Sequence, residues 1–274
     1  MTEYSVYFVA TPIGNLDEIT FRAIDTLKSV DVIYCEDTRH ALILLNRYEI
    51  KKPLVAYHKF NEKSAVQSVL NDVGNGKKIA VITDAGMPCV SDPGNILVRE
   101  LIANGISYTV ISGASALVNA FVLSGFSAPF TFVGFLPEKN IDRQRLIETL
   151  PIKHTLIFYS SVHDVNDDMK YLYSVLGERK VCVAREISKM YESVYFGELK
   201  DISIEMEKGE FVIVVDGNKT DAFMNMTIEE HIKFYMDKGF DKSEAVKKTA
   251  KDRKVNKNEI YQVAVNMSEN KKSK

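Results

Sequence analysis

The stretch from Ile79 to Gly94 most strongly constrains how this chain can fold. Ile79-Ala80-Val81-Ile82 is an apolar run typical of a buried strand, and it leads straight into the loop Thr83–Gly94. Two Asp, two Pro and two Gly among the twelve residues of that loop restrict its backbone. A helical pattern follows, and Asn104-Gly105 predicts its end. This order indicates a strand, a rigid loop and a helix in an α/β sheet, where ligands bind at the carboxyl ends of strands.

The two halves of this loop have different expected roles. Asp84, Ala85, Gly86 and Met87 follow the strand directly, so we expect them to face a ligand. Ser91–Gly94 is expected to start the helix, with Asp92 as its N-cap and Pro93 in its first turn. A stiff connection that binds nothing is the alternative interpretation of the loop taken by itself.

The alternation of strand and helix extends over residues 1–124 and predicts a parallel sheet with helices on both faces. Strands are expected at 4–10, 31–35, 53–57, 79–82 and 106–111. The loops that would meet at the carboxyl edge of this sheet are 11–17, 36–39, 84–93 and 112–116. Four polar or Gly-rich loops on one edge predict a cleft. The first turn is not G-x-G-x-x-G, which argues against an oxidoreductase that binds a dinucleotide.

Residues 125–226 predict a second, mixed α/β domain after a break at Gly125–Pro129. Strands are expected at 130–135, 154–160, 180–185, 193–197 and 211–215, with helices at 141–149 and 164–175.

The last part of the chain is basic and helical. Residues 227–267 predict a linking helix and a hairpin that resembles a helix-turn-helix, and 268–274 a disordered tail. Residues 239–274 hold ten Lys/Arg and five Asp/Glu, a balance of +5 in a chain of net charge −2. This asymmetry favours RNA binding, although a solvated basic terminus is an open alternative. The candidate RNA contacts are Lys247, Lys248, Lys251, Arg253 and Lys254.

Composition and cysteine content favour a cytoplasmic protein. Cys35, Cys89 and Cys182 form no C-x-x-C pair, and the N-terminus lacks the basic region of a signal peptide. No apolar run reaches the length of a membrane span, so no membrane partner is expected. The five His show no spacing typical of a zinc site, so no metal is expected.

Several motifs together resemble the tetrapyrrole-methylase superfamily of S-adenosylmethionine enzymes, and within it the branch that acts on ribosomal RNA. The motifs are Thr11-Pro12-Ile13-Gly14-Asn15-Leu16, Glu36-Asp37-Thr38-Arg39, Asp84-Ala85-Gly86-Met87-Pro88, Ser91-Asp92-Pro93-Gly94, Gly134-Phe135-Leu136-Pro137 and Ala184-Arg185-Glu186. The resemblance covers nearly all of residues 4–265. Ser112-Gly113-Ala114-Ser115 lacks the two prolines usual in the family's turn and retains Gly113 and Ser115.

The resemblance implies a homodimer of two-domain chains with S-adenosylmethionine bound in the cleft between the domains. It further implies methylation of a cytidine ribose 2′-hydroxyl in the decoding region of small-subunit (16S) ribosomal RNA, as free RNA or as the 30S particle. By position, the residues implied for the donor are Pro12, Gly14, Asp84, Ala85, Gly86, Met87, Ser115, Ala116, Tyr159, Ala184 and Phe211.

The charged loop Glu36–Arg39 supplies the candidate catalytic residues. Glu36 or Asp37 would accept the proton of the ribose hydroxyl, and Arg39 would hold a phosphate or the developing charge. A helix start at Thr38 with these residues as its cap is an equally open interpretation.

Two other functions remain open at this point. One is a methyltransferase for a small tetrapyrrole or corrinoid, against which the basic terminal hairpin argues. The other is a non-catalytic RNA-binding protein of ribosome assembly, which binding of S-adenosylmethionine would exclude.

Overall fold

The computed structural model describes residues 3–205, 208–219, 226–237, 239–253 and 255–269. The chain divides into two compact units, Met1–Asn218 and Lys219–Lys274, and each is described by itself.

The first unit begins with a five-stranded parallel sheet, as the sequence predicted. Its strands are β1 (Val6–Val9), β2 (Val32–Cys35), β3 (Leu54–Ala56), β4 (Ile79–Ile82) and β5 (Tyr108–Ile111), in the order β3-β2-β4-β1-β5. Every pairing that joins them is parallel. The helices between and after them are α1 (Phe21–Ser29), α2 (Thr38–Arg47), α3 (Glu62–Gly74), α4 (Asn95–Ala103) and α5 (Ala116–Ser124), with a 3-10 turn at Leu16–Glu18.

Helices cover both faces of this sheet because successive strand residues point to opposite sides. Val32 and Tyr34 pack with Val66 of α3 and Leu97 of α4 on one face. On the other face the side chains pack against α1 and α2, for example Ile33 with Leu27. All the predicted loops therefore leave from the carboxyl edge of one rigid layer.

The second sheet of the first unit is mixed, again as predicted. Its strands are β6 (Phe130–Phe135), β7 (Thr155–Ser161), β8 (Arg179–Arg185), β9 (Ser193–Glu198) and β10 (Glu210–Lys219), in the order β6-β7-β10-β8-β9. β6 pairs with β7 in parallel, whereas β7 with β10 and β8 with β9 are antiparallel. Helices α6 (Asn140–Thr149) and α7 (Val165–Leu176) complete this part, and α7 covers one face of the sheet through Met169 and Leu172.

The two sheets are joined by a shared apolar cluster. Ala120 of α5 packs there with Ile157, Cys182 and Val214, and Ile13 of the first loop belongs to the same cluster. The predicted domain limit at residue 124 coincides with the last residue of α5, inside this first unit. The cluster therefore holds the loops of the first sheet against the second sheet.

The second unit contains three helices in its described part. They are α8 (Ile228–Asp237), α9 (Lys242–Arg253) and α10 (Lys257–Glu269). They share a small core that contains Ile232, Val246 and Ile260. The predicted tail at 268–274 is corrected in part, because α10 continues to Glu269, and 270–274 lie outside the described residues. Among the described helices, none is long and apolar enough to cross a membrane.

Candidate functional site

Thr11 and Gly86 connect the loops that follow β1 and β4. The Thr11 N–H donates to the Gly86 carbonyl at 2.9 Å, and the Gly86 N–H donates back to the Thr11 carbonyl at 3.2 Å. Gly86 has a φ of +81°, and a Cβ placed there would lie 3.4 Å from Ile13 Cγ2. A side chain at this position is therefore strained, and the residue needed is glycine. The bridge fixes the backbone of Ala85–Met87 at the edge of a cavity.

A cavity of about 340 Å³ lies between the loops of the first sheet and the second sheet, and is called the larger cavity below. Its lining comes from both sheets: Ile13, Ala85, Gly86, Met87, Val90, Ser91, Asp92, Ser115, Ala116, Phe135, Tyr159, Ser160, Ser161, Ile187, Gly209, Glu210, Phe211 and Val212. The Tyr159 ring contacts Phe135 with ring centroids 5.6 Å apart, which makes one wall aromatic. Such a mixture of apolar walls and a few polar groups is typical of a small-molecule site.

A second cavity of about 240 Å³, the smaller cavity, shares Ile13, Ala85 and Glu210 with the first. It is also lined by Thr11, Pro12, Gly14, Leu16, His40, Ala41, Ile43, Leu44, Ile82, Thr83, Asp84 and Lys189. Because they share lining residues, the two cavities form one continuous edge of the cleft.

The structure brings ten of the eleven implied donor residues to these two cavities. Seven line the larger one: Ala85, Gly86, Met87, Ser115, Ala116, Tyr159 and Phe211. Pro12, Gly14, Asp84 and again Ala85 line the smaller one. Ala184 lines neither, because it is fully buried in the apolar cluster that joins the sheets.

The second half of the opening loop corrects the sequence expectation. α4 begins at Asn95 with Gly94 as its N-cap, so Asp92 is not the cap and Pro93 is not in the first turn. Asp92 and Ser91 instead line the larger cavity. The reason is the loop's backbone: Ser91 has a φ of +66°, and a Cβ on Gly94 would lie only 2.5 Å from Cys89 Sγ. This turn delays the helix and points the Asp92 segment toward the cavity.

Three carboxylates, Glu36, Asp84 and Asp92, interact at this edge. Burial, reinforced by the negative charges of Glu36 and Asp84, raises the pKa of Asp92 to about 6. Burial and the charge of Asp84 also raise the pKa of Glu36. Asp92 is therefore a carboxylate that can accept a proton near neutral pH.

Asp37 has a different environment, since it caps α2. Its Oδ1 accepts from the Arg39 N–H at 2.8 Å, and its Oδ2 lies 2.6 Å from Arg39 Nη2. The hydrogen bonds from Arg39 hold the pKa of Asp37 well below its usual range. The Asp37 N–H in turn donates to Asp84 Oδ1 at 3.3 Å, and His40 Nδ1 lies 3.5 Å from Asp84 Oδ2. The helix start at Thr38 is thus present, and Asp37 positions Asp84.

Glu210 and Phe135 are lining residues that sequence reasoning missed. Lys189 bridges Glu210 to Glu186, with Nζ 2.9 Å and 3.0 Å from their carboxylates. The sequence did contain a signal for Phe135, because this residue lies in the motif Gly134-Phe135-Leu136-Pro137. Gly134 has a φ of +81° and lies at an irregularity in the pairing of β6 with β7. Glu210 follows no motif, and only the folded chain brings it to the cleft.

In the second unit the predicted RNA contacts have different surroundings. Lys247 and Lys251 are exposed, and Lys248 lies over the Phe240 ring at 4.4 Å. Arg253 donates to His231 Nδ1 at 3.1 Å and to the Thr227 carbonyl at 3.0 Å, so its guanidinium serves the unit's own packing. Lys254 lies outside the described residues.

Solved methyltransferases have a similar architecture. The methyltransferase CobJ superposes with a TM-score of 0.60 at 18% identity, over 78% of this chain and 94% of that one. The uroporphyrin-III-C-methyltransferase from Thermus thermophilus gives a TM-score of 0.56 at 18% identity, over 77% and 94%. At this identity the likeness concerns the fold. A family model, Tetrapyrrole (Corrin/Porphyrin) Methylases, matches residues 5–203, and the chain belongs to this family.

Three relatives that match most of this chain have one name in common. The chain is 42% identical over 271 residues to the Ribosomal RNA small subunit methyltransferase I of Halalkalibacterium halodurans, with 94% of both chains covered. It is 38% identical over 269 residues to the protein of that name in Bacillus subtilis, covering 93% of this chain and 92% of the relative. The protein of that name in Thermotoga maritima is 39% identical over 217 residues, covering 77% of this chain and 97% of the relative.

The methyl donor of the family is S-adenosylmethionine, and the cavities fit it in size and chemistry. About 340 Å³ lies in the range of small-molecule sites. The aromatic wall of Phe135, Tyr159 and Phe211 suits an adenosine group. Ser115 makes no side-chain cap on α5, and the Leu117 backbone in the helix's first turn instead interacts with the Tyr159 hydroxyl, which places that ring against the start of the helix.

Proposed function

We propose that this chain methylates the ribose 2′-hydroxyl of a cytidine in the decoding region of small-subunit ribosomal RNA. The observation that carries the proposal is the 42% identity, over 94% of both chains, to a relative named for methylation of small-subunit ribosomal RNA. The two connected cavities supply a donor site of suitable size and lining. The resemblance described above supports the cytidine and its 2′-oxygen as the target.

Positioning accounts for much of the rate in such a reaction. S-adenosylmethionine supplies an activated methyl group when bound, and transfer requires the attacking oxygen to lie in line with it. The bridge between Thr11 and Gly86 holds the Ala85–Met87 backbone rigid at the cavity edge. A rigid wall keeps a bound donor in one orientation, so the methyl group points in one direction.

Asp92 is the proposed proton acceptor for the ribose hydroxyl. It lines the larger cavity, and its pKa of about 6 leaves it ionised at neutral pH while making it a stronger base than an ordinary Asp. Glu36 and Asp84 contribute through the negative charge that raises this pKa. Asp37 is a weaker candidate, because its carboxylate is held by Arg39 and its pKa is low.

Arg39 is proposed to contact an RNA phosphate near the target. Its side chain is 89% exposed although it pairs with Asp37, so the guanidinium retains donors that face solvent. Lys247 and Lys251 of the second unit are proposed as further phosphate contacts.

The test is transfer of tritiated methyl groups to 30S particles from a strain that lacks this protein. We expect one labelled nucleotide. Because a 2′-O-methyl group makes the adjoining phosphodiester resistant to alkaline hydrolysis, a gap in the hydrolysis ladder shows the position of that nucleotide. Particles that already carry the modification are the control and take up no label. Label on a base, or none on the particles, would contradict the proposal.

Calorimetry with S-adenosylmethionine separates the alternatives. A non-catalytic RNA-binding protein binds no donor. A methyltransferase of small tetrapyrroles binds the donor and labels a porphyrin precursor in place of the particles.

A further inference from the structure

The turn at residues 58–63, called the 58–63 turn below, presents an exposed aromatic ring at the edge of the first sheet where the cleft lies. Phe60 is 86% exposed, whereas Tyr57, which lies three residues earlier, is buried. Single exposed apolar side chains are common on protein surfaces, whereas loops held on a rigid scaffold are frequent sites of binding.

Hydrogen bonds make this turn rigid. The Asn61 side chain accepts from the His58 N–H at 2.8 Å and donates to the Ala56 carbonyl at 2.9 Å. The Asn61 N–H closes the turn on the His58 carbonyl at 3.0 Å. These three bonds hold the backbone on either side of Phe60, which lowers the entropic cost of ordering this turn on binding.

The turn is connected to the cleft. Tyr57 N–H donates to the Cys35 carbonyl at 2.8 Å, which brings the turn beside Glu36. Glu62 Oε1 accepts from the Gly94 N–H at 3.0 Å, at the end of the loop that carries Asp92. Lys59 and His58 are close enough to Glu36 to act on its pKa, which they lower against the raising effect of burial.

Two lysines flank the exposed ring. Lys59 Nζ lies 5.0 Å from the centre of the Phe60 ring, and Lys63 is exposed on the first turn of α3. In the described part of the chain neither lysine forms an ion pair, although the residues before 239 carry a net negative charge. A hollow of about 400 Å³ is lined by Lys59, Phe60, Asn61, Glu62, Lys63, Ser64 and Ile96. The Glu62 carboxylate in this lining accepts hydrogen bonds from the Tyr57 hydroxyl and the Gly94 N–H. An aromatic face beside two lysines matches a nucleotide, which has a flat base and a phosphate.

We propose that the 58–63 turn binds an unpaired nucleotide that flanks the methylated residue, with its base stacked on Phe60 and its phosphates near Lys59 and Lys63. This inference rests on the proposed function, since it assigns a contact to the same RNA. It adds a contact within the first unit, separate from the basic helices of the second.

Phe60→Ala tests the stacking contact, with a fragment of small-subunit RNA that spans the decoding region as the probe. Loss of one stacked base weakens RNA binding between about five-fold and about a hundred-fold. Phe60→Tyr keeps a flat ring and is expected to bind as the unchanged protein does. Phe196→Ala is the matched control, because Phe196 is 62% exposed on β9 and lines neither cavity.

Lys59→Ala combined with Lys63→Ala tests the phosphate contacts. Removing two contacts lowers the slope of log affinity against log salt by about 1.4 to 2. Lys51→Ala with Lys52→Ala removes equal charge from the residues before β3, at the opposite end of that strand, and is expected to leave the slope unchanged. S-adenosylmethionine binding should be equal in all variants.

The outcomes separate this inference from the proposed function. If the unchanged protein methylates 30S particles and Phe60→Ala binds the RNA fragment equally well, the inference fails and the function stands. If only binding to 30S particles is lost while the naked fragment binds normally, the turn contacts a ribosomal protein and the inference also fails. If the unchanged protein neither binds nor methylates the RNA, the proposed function fails.

Discussion

Replacing Asp92 with asparagine should make the protein more stable and less active at the same time. Its pKa is raised from 3.8 to about 6 by burial and by neighbouring negative charge. A raised pKa in the folded state means that the protonated form is favoured there. The contribution of Asp92 to the free energy of unfolding is therefore fully present below about pH 4, and it is lost as pH rises through about 6. Above that pH the folded protein holds an unfavourable charge, which the neutral amide of the substituted side chain would remove.

The size of the gain follows from the shift. Two pKa units correspond to about 3 kcal/mol, and partial exposure of Asp92 to solvent reduces this to about 1–2 kcal/mol. We therefore expect Asp92→Asn to raise the free energy of unfolding by about 1–2 kcal/mol at pH 8, and by much less at pH 4. Single-turnover methyl transfer should fall about a hundred-fold or more, because the proposed proton acceptor is lost.

Urea unfolding at pH 8 and pH 4, with single-turnover labelling at pH 8, measures both effects. Asp25→Asn on α1 is the control, since Asp25 is exposed and its replacement should change neither quantity. An equal stability change at the two pH values would refute the electrostatic reasoning. Unchanged methyl transfer would show that Asp92 does not accept the proton.

Three further changes test the site and the second unit. Gly86→Val should weaken S-adenosylmethionine binding about ten-fold or more by calorimetry, whereas Gly105→Val, also at positive φ but in open space, should cost similar stability and leave binding unchanged. Arg253→Ala should lower the unfolding free energy of the second unit by about 2–3 kcal/mol in chemical denaturation, because a charged donor to His231 and Thr227 is lost. Lys251→Ala should change it by less than about 0.5 kcal/mol, and an equal loss in both variants would contradict the internal role of Arg253. Removing residues 220–274 should leave donor binding nearly intact and lower the salt dependence of RNA binding, and loss of donor binding would instead indicate a structural role.

The sequence alone was sufficient to predict the two sheets and most of the loops that form the cleft. Ile79–Ile82 is apolar at every position because a central parallel strand is buried on both faces, and this pattern needs no knowledge of its neighbours. Parallel strands place their carboxyl ends on one edge, so loops far apart in sequence were predicted to meet. Gly86 and Met87 do line the cavity that results.

The position of Asp92 at the cavity was decided only by tertiary structure. Its sequence context, an Asp before Pro93, matches a helix cap, and local rules favour that interpretation. The cap position instead belongs to Gly94, because the left-handed backbone at Ser91 and the contact between Gly94 and Cys89 turn the chain before α4 begins. The contacts of Arg253 could not be predicted from local sequence either, since its partners His231 and Thr227 lie more than twenty residues earlier in the chain.

One physical cause separates the features that the sequence predicted from those that only the tertiary structure decided. Strand burial and helix periodicity depend on neighbours a few residues away, and these are written in the local sequence. The pKa of Asp92 depends on its burial and on the charges of Asp84 and of Glu36, which follows a different strand of the sheet. Charge interactions and desolvation act through space, so they exist only once the fold has brought those groups together.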